Sequence, residues 1–237
     1  MNNLVCYHTF DKNAGHVKFY KEKNIYSLDL QKSLLKYTSS LANILSCQQV
    51  HGNHIKVFRK NDEFPLNNIF INYDGIITDR NDVFLLVKHA DCAPIFIFDP
   101  KKEVFGLLHS GWRGTRDKIV VEAINIMQSE FSSKTNNIKI VIGPCAHSCC
   151  YGFEKKDIHS ELLNQDEWQQ YINRQGKRYT LDFPGFIKNS AVKVGILDSN
   201  IEISPICTIC DNRYYSWTRQ RKNGEQIKNG VSIIGLI

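Results

Sequence analysis

The 237-residue sequence lacks most of what marks exported, membrane-spanning or multi-part chains. Its opening stretch, MNNLVCYHTFDKN, has no long apolar run and no small-residue cleavage site, so no signal peptide is expected. No uncharged stretch approaches the roughly 20 apolar residues of a spanning helix. Gly/Ser/Pro linkers, internal repeats and low-complexity tracts are missing, which leaves one domain over residues 1–237 as the expected organisation. Methionine occurs only at Met1 and Met127, and none of the eight histidines forms a His-x-His pair. Both shortages weigh against copper oxidase chemistry, which draws on clustered histidines and often an axial methionine. No RNA-binding motif is present, so no nucleic-acid partner is expected despite a formal charge of +6. That mild positive balance suits a small anion such as phosphate.

What is present begins with thiols. A chain of this length buries a core without disulfide staples. Its eight cysteines, with no export signal, are therefore expected to be reduced, some of them metal ligands, in the cytoplasm. Helical spacing runs over residues 28–46, where Leu30, Leu34, Leu41 and Leu45 share a face. Strands are expected at 55–57, in INYDGIITD, and over VFLLVKHADC, APIFIFDP, EVFGLLHSG and IKIVIGP. Thr115 is expected to cap a helix over DKIVVEAINIMQSEF, and 155–171 and 184–197 also have helical patterns. Strands outnumber helices and several are joined by hairpin-length turns. The pattern is mixed α/β, of the α+β kind, and not an alternating Rossmann order.

Three residues stand at strand ends beside glycines: His51, Cys92 and His109. If the strand leaving Cys92 and the strand arriving at His109 form a hairpin, the two side chains meet. One cysteine and two histidines would give zinc three protein ligands and an open fourth position. The alternative is a buried thiol and two histidines bonded to backbone. His54 and His89 are rivals, through His-x-x-His with His51 and His-x-x-Cys with Cys92. Asp91 stands ready either to orient a metal-bound histidine or to cap a turn. Cys145, Cys149 and Cys150, together with Cys207-Thr-Ile-Cys210, have the makings of a four-cysteine zinc site. They lack the spacing of paired knuckles, and are expected instead to be small buried groups lining a pocket. Arg113, in a Gly-flanked turn at a helix start, forms an anion site or pairs with a carboxylate. Tyr214, Tyr215, Trp217, Arg219 and Arg221 interleave rings with cations, a strip able to stack on a nucleobase and hold an anion, or else core aromatics beside solvated arginines.

Read in order, QVHG (49–52), DGIIT (74–78), ADCAP (90–94), HSGWRG (109–114), IGP (142–144) and Cys207-Thr208 followed by YYSWTR (214–219) resemble the YfiH family. That family is also called polyphenol-oxidase, laccase-domain or YfiH-type purine nucleoside phosphorylase. The likeness runs from about residue 48 to the C-terminus, and ADC-x-P followed by H-x-GWRG is its specific part. It implies a single α/β domain of layered mixed sheets flanked by helices. It implies a zinc site of His51, Cys92 and His109, which are also the catalytic residues, with copper as a possible occupant. The implied activity is phosphorolysis of adenosine, inosine and S-methyl-5′-thioadenosine, with adenosine deamination beside it. Arg113 or Arg219 would then steady the phosphate. A copper-dependent polyphenol oxidase and a Cys–His hydrolase or deamidase are the alternatives. The sequence departs from the family where a Thr/Ser-x-Arg-x-Gly-Gly loop is replaced by YHTFDKNAG, which leaves His8 or Lys12 to take the arginine's place. The usual Tyr-Glu-Val after IGP becomes Tyr151-Gly152-Phe153.

Overall fold

In the computed structural model, which describes residues 4–20 and 23–237, two mixed sheets lie face to face with helices outside them. Positions 1–3, part of the expected domain, lie outside the described residues. One sheet orders its strands Val5–Thr9, Gly230–Leu236, Phe84–His89, Ile44–Gln48 and Ile69–Ile71. The other runs Ile201–Ile203, Lys139–Ile142, Ala93–Asp99, Val104–Ser110, Gly75–Thr78 and Ile55–Phe58. A smaller sheet of Gly152–Glu154, Arg178–Leu181 and Ile172–Gln175 packs at one side.

Strand period explains the layers, because successive side chains point to opposite faces. In Gly230–Leu236, Ile234 and Leu236 enter the core between the sheets while Val231 and Ile233 face outward. In Ala93–Asp99, Phe96 joins that central core, whereas Ile95 and Ile97 meet the helices on the far side. A strand covered on both faces is apolar along most of its length, as Phe84–His89 is from Phe84 to Val87. The helix Ile119–Phe131 lays Ile119, Val120, Ala123, Ile124 and Met127 on the second sheet. Leu30 and Leu34, from the helix Leu28–Leu34, cover the outer face of the first.

Three helical expectations are corrected. The pattern over 28–46 ends as a helix at Leu34, and Leu45 lies in the strand Ile44–Gln48. The Thr38 hydroxyl donates to the Ser40 carbonyl and the Ser40 hydroxyl caps Ala42, so these side chains take up backbone groups that a helix needs. Residues 155–171 form 3-10 segments, Ile158–Asn164 and Asp166–Tyr171, rather than one α-helix. Thr115 is no cap: it sits inside the short helix Trp112–Arg116 and bonds the Ser110 hydroxyl at 2.8 Å. The chain then breaks at left-handed Lys118 (φ 56°) before the long helix starts. The expected hairpin is present, with His109 opposite Pro94 and Ser110 opposite Ala93. No helix among the described residues is long and apolar enough to cross a membrane.

Candidate metal centre

The seam between the two sheets places the chemistry. Phe84–His89 belongs to one sheet and Ala93–Asp99 to the other, so the turn between them, carrying Cys92, crosses from layer to layer. His109 is the penultimate residue of Val104–Ser110, the strand paired with Ala93–Asp99. His51 lies just past Ile44–Gln48, in a turn where its own φ is 63°. The ligand atoms of His51, Cys92 and His109 all lie within 4.8 Å of one another. The two imidazoles meet edge to face, centroids 4.8 Å apart.

Asp74, fully buried at the start of Gly75–Thr78, holds this arrangement together. Its Oδ1 lies 2.9 Å from His109 Nδ1 and accepts the His51 N–H at 2.9 Å. Its Oδ2 accepts the Gly52 N–H at 2.7 Å and the Val50 N–H at 3.2 Å. One carboxylate thus fixes both histidine-bearing segments. Burial pushes its pKa up, but His109 and the Gly52 and His51 amides outweigh that and hold it below the usual range. Burial likewise pushes the Cys92 thiol up; the His109 charge and hydrogen bonds from His109 and His51 prevail and bring it down to about 6. His109 moves the other way, upward against burial, through the charge of Cys92 and the bond to Asp74.

The glycines of HSGWRG admit this geometry. A Cβ on Gly111 would stand 3.0 Å from the His51 ring and 3.2 Å from the Cys92 sulfur. On Gly114 it would stand 2.6 Å from the Gly52 carbonyl oxygen. That neighbour is backbone and has no easy way to give. Gly114→Ala is expected to cost about 1–3 kcal/mol of stability and to displace the turn that bears His51. Thermal unfolding and metal titration check it, and a variant matching wild type in both would refute the steric argument.

The donor set fits a metal ion. It comprises two imidazoles and a thiolate already favoured near neutrality, with a carboxylate behind His109 Nδ1 that leaves Nε2 for the ligand side. A cavity of about 500 Å³ opens over the three ligands, its wall including Trp112, Arg113, Tyr151, Phe183 and Trp217. The Arg113 guanidinium lies 4.5 Å from the Trp112 ring centroid and makes no ion pair among the described residues.

Other candidates fall elsewhere. Arg219 sits apart from the residues of the cavity wall: its guanidinium donates to the carbonyls of Thr208 (2.7 Å), Ile209 (2.9 Å) and Tyr214. Those turn carbonyls have no sheet partners, and a five-donor fork satisfies several of them at once. His89 bonds Ser232 at 2.8 Å and His54 is exposed; neither joins the cluster. His8 stacks on Tyr37 and Lys12 reaches the Tyr215 ring, both away from the cavity wall. Among the described residues the Asp91 side chain bonds no histidine. It accepts the Thr208 hydroxyl and the Thr218 N–H, each at 2.8 Å, and so anchors the Cys92 turn to the C-terminal segment. Asp74 was not singled out from the sequence, although DGIIT displays it. Nor was Lys88, whose ammonium bonds the Cys47 carbonyl at 2.8 Å and adds a second cation to the cavity wall.

Two packed mixed sheets with a Cys/His/His cluster at their seam define a layered α/β protein with a group of side chains that could hold a metal ion. More particularly, the chain belongs to the family described as multi-copper polyphenol oxidoreductase laccase, whose profile matches residues 27–233. It is similar to a purine nucleoside phosphorylase of Borreliella burgdorferi, 31% identical over 169 residues, covering 68% of this chain and 70% of the relative. It is also similar to the purine nucleoside phosphorylase YlmD of Bacillus subtilis, 27% identical over 236 residues, covering 97% and 80%. Its fold matches the crystal structure of the hypothetical protein YfiH of Bacillus licheniformis with TM-score 0.84 and 24% identity, over 98% of this chain and 93% of that one.

Proposed function

We propose that this chain is a cytoplasmic purine nucleoside phosphorylase acting on adenosine, inosine and S-methyl-5′-thioadenosine, with zinc held by His51, Cys92 and His109. The observation that carries the reading is the Cys/His/His cluster opening into a cavity that is walled by aromatic rings and by Arg113, which makes no ion pair among the described residues. Purine nucleosides fit such a wall, since a flat base stacks on aromatic faces. Phosphate fits Arg113, whose planar fork matches two of its oxygens. The names of the relatives support the same class of activity.

In phosphorolysis a phosphate oxygen bonds to ribose C1′ as the C1′–N9 bond breaks. The electron pair leaves with the purine, which takes up a proton, while the sugar passes through oxocarbenium character. Bound at the cluster, zinc supplies Lewis acidity toward an oxygen of phosphate or water. Copper would bind the same donors tightly. The protein's own part is positional. Asp74 fixes both histidines, Asp91 fixes the Cys92 turn, Arg113 holds the anion, and the rings exclude water from the sugar. Deamination belongs to the same reading as a side activity, in which water adds at purine C6 and ammonia leaves.

The test is turnover of adenosine by protein of known metal content, with and without phosphate. Phosphate-dependent release of adenine is expected. Arg113→Lys is expected to raise the KM for phosphate about tenfold with a smaller change in kcat. Inosine formed without phosphate would make deamination the main activity. Chelator-resistant turnover that is lost on Cys92 alkylation would favour a metal-free Cys–His hydrolase or deamidase. A polyphenol oxidase is disfavoured by the donors. Among the described residues only one histidine-containing cluster forms, and Met127 is buried in the helical core away from it.

A further inference from the structure

Four cysteines that the sequence pattern suggested were merely small buried groups converge outside the cavity lining. The sulfurs of Cys149, Cys150, Cys207 and Cys210 all lie within 4.8 Å of one another. Cys149 and Cys210 are exposed, so packing in a core does not explain them. Two come from the loop after Lys139–Ile142 and two from the Cys-x-x-Cys turn some 60 residues later. The segments are joined by a parallel bridge between Cys145 and Cys207 and by the Thr208 N–H donating to the Cys145 carbonyl at 2.9 Å.

We propose that Cys149, Cys150, Cys207 and Cys210 bind one zinc ion as a closed structural tetrathiolate, distinct from the open His51–Cys92–His109 centre. Four thiolates fill the tetrahedral shell of zinc and leave no position for substrate. At Zn–S distances of about 2.3 Å the sulfurs would stand roughly 3.8 Å apart, a small adjustment of the present cluster. Two arginines are tied to the backbone of the same turns. Arg178 donates to the Cys150 carbonyl at 3.1 Å, and Arg219 donates to the carbonyls of Thr208 and Ile209, which places two cations beside a site that would be dianionic with four thiolates around one zinc ion. A Cys150–Cys210 disulfide would join the pair whose sulfurs lie 2.7 Å apart, but it would leave the approach of Cys149 and Cys207 without a cause.

The ion would staple the two segments that build one wall of the cavity. Cys145, Ala146 and Tyr151 line it from the first, and Trp217 and Thr218 line it just beyond the second. Thr208, within the Cys-x-x-Cys, is one of the two residues that bond the side chain of Asp91, the neighbour of Cys92.

The test is metal analysis of the reduced full-length protein, purified without chelator. Wild type is expected to hold about two zinc ions per chain, Cys92→Ala about one, and Cys149→Ser/Cys210→Ser about one. The last pair is chosen because both positions are exposed and the fold should tolerate serine there. Cobalt loaded into Cys92→Ala should show the intense thiolate charge-transfer and tetrahedral d–d bands of a four-sulfur site, and these should vanish when Cys149→Ser/Cys210→Ser is added. The cysteine variant should keep its first zinc, unfold at lower temperature and show a raised KM for nucleoside. Zinc content unchanged by Cys149→Ser/Cys210→Ser would overturn the proposal. So would iron in place of zinc, or a Cys150–Cys210 cross-linked peptide with a mass lower by one hydrogen pair. The Cys92→Ala arm reads the open centre separately, so failure of one site is not mistaken for failure of the other.

Discussion

Cys92→Ala is expected to strip the metal from the open centre and to lower phosphorolysis by more than about 100-fold. Loss of a residue that only supports a metal ligand already costs about 10–100-fold in affinity or activity; Cys92 is itself a member of the cluster. It is the one anionic donor there, and its thiolate is favoured by His109 and His51. Two imidazoles alone hold zinc far less well than two imidazoles and a thiolate. The fold should survive, because Cys92 lies in a turn at the cavity and its removal leaves no sealed void. A second consequence follows for His109. Its raised pKa depends on the Cys92 charge before the bond to Asp74, so in the metal-free variant its titration should move down. Metal content, steady-state kinetics and an NMR titration of His109 check these together. Wild-type metal content with turnover within about twofold of wild type would sink the assignment of the site.

The parts of this site carried by local pattern were legible in the sequence. The hairpin from Cys92 to His109 could be read because two apolar strands flank the Asp99-Pro100 turn, and that pairing brings the two strand ends together. His51 could be read from its place before Gly52 after an apolar run. What pattern could not give was long-range bonding. Asp74 reaches His51 and His109 across 23 and 35 residues, and an aspartate before a glycine looks like any turn residue. The bonds of Arg219 were equally hidden from the pattern. Interleaved with rings and cations it suggests a binding strip, yet the turn it follows presents a set of carbonyls that need donors. Leu45 showed the limit of periodicity, since a leucine spaced for a helix serves equally well in a strand buried on both faces. The four cysteines are the same lesson at larger range: their spacing along the chain is irregular, and only the packing of two loops makes them a set.

Asp74→Asn should do nearly as much damage to the metal centre as loss of a ligand, though it changes only one atom. The carboxylate offers acceptors in every direction that matters: to the N–H groups of Val50, His51 and Gly52 and to His109 Nδ1. An asparagine must turn its NH₂ toward one of those partners. If it faces the amides, two donors collide in a buried site and a bond to the turn is lost, at a cost of about 1–3 kcal/mol. If it faces His109, Nδ1 must become the acceptor, and the proton moves to Nε2, the nitrogen the metal requires. Either way metal affinity should fall about 10–100-fold. Asp74→Ala removes every acceptor and should cost about 3–5 kcal/mol, with the His51 turn released from its left-handed conformation. The dependence on pH has a definite sign. The folded pKa of Asp74 lies below its unfolded value, so the unfolded state binds more protons as the medium turns acid. The contribution of Asp74 is therefore complete above the ordinary carboxylate range and disappears as pH falls through the lowered folded pKa. The stability gap between wild type and Asp74→Asn should be widest near neutrality and narrow in acid. Denaturant unfolding of metal-free protein across that range measures the gap, and zinc titration measures the affinity. A gap that widens toward acid, or an asparagine variant that binds zinc as wild type does, would show that Asp74 is not what holds the histidines in place.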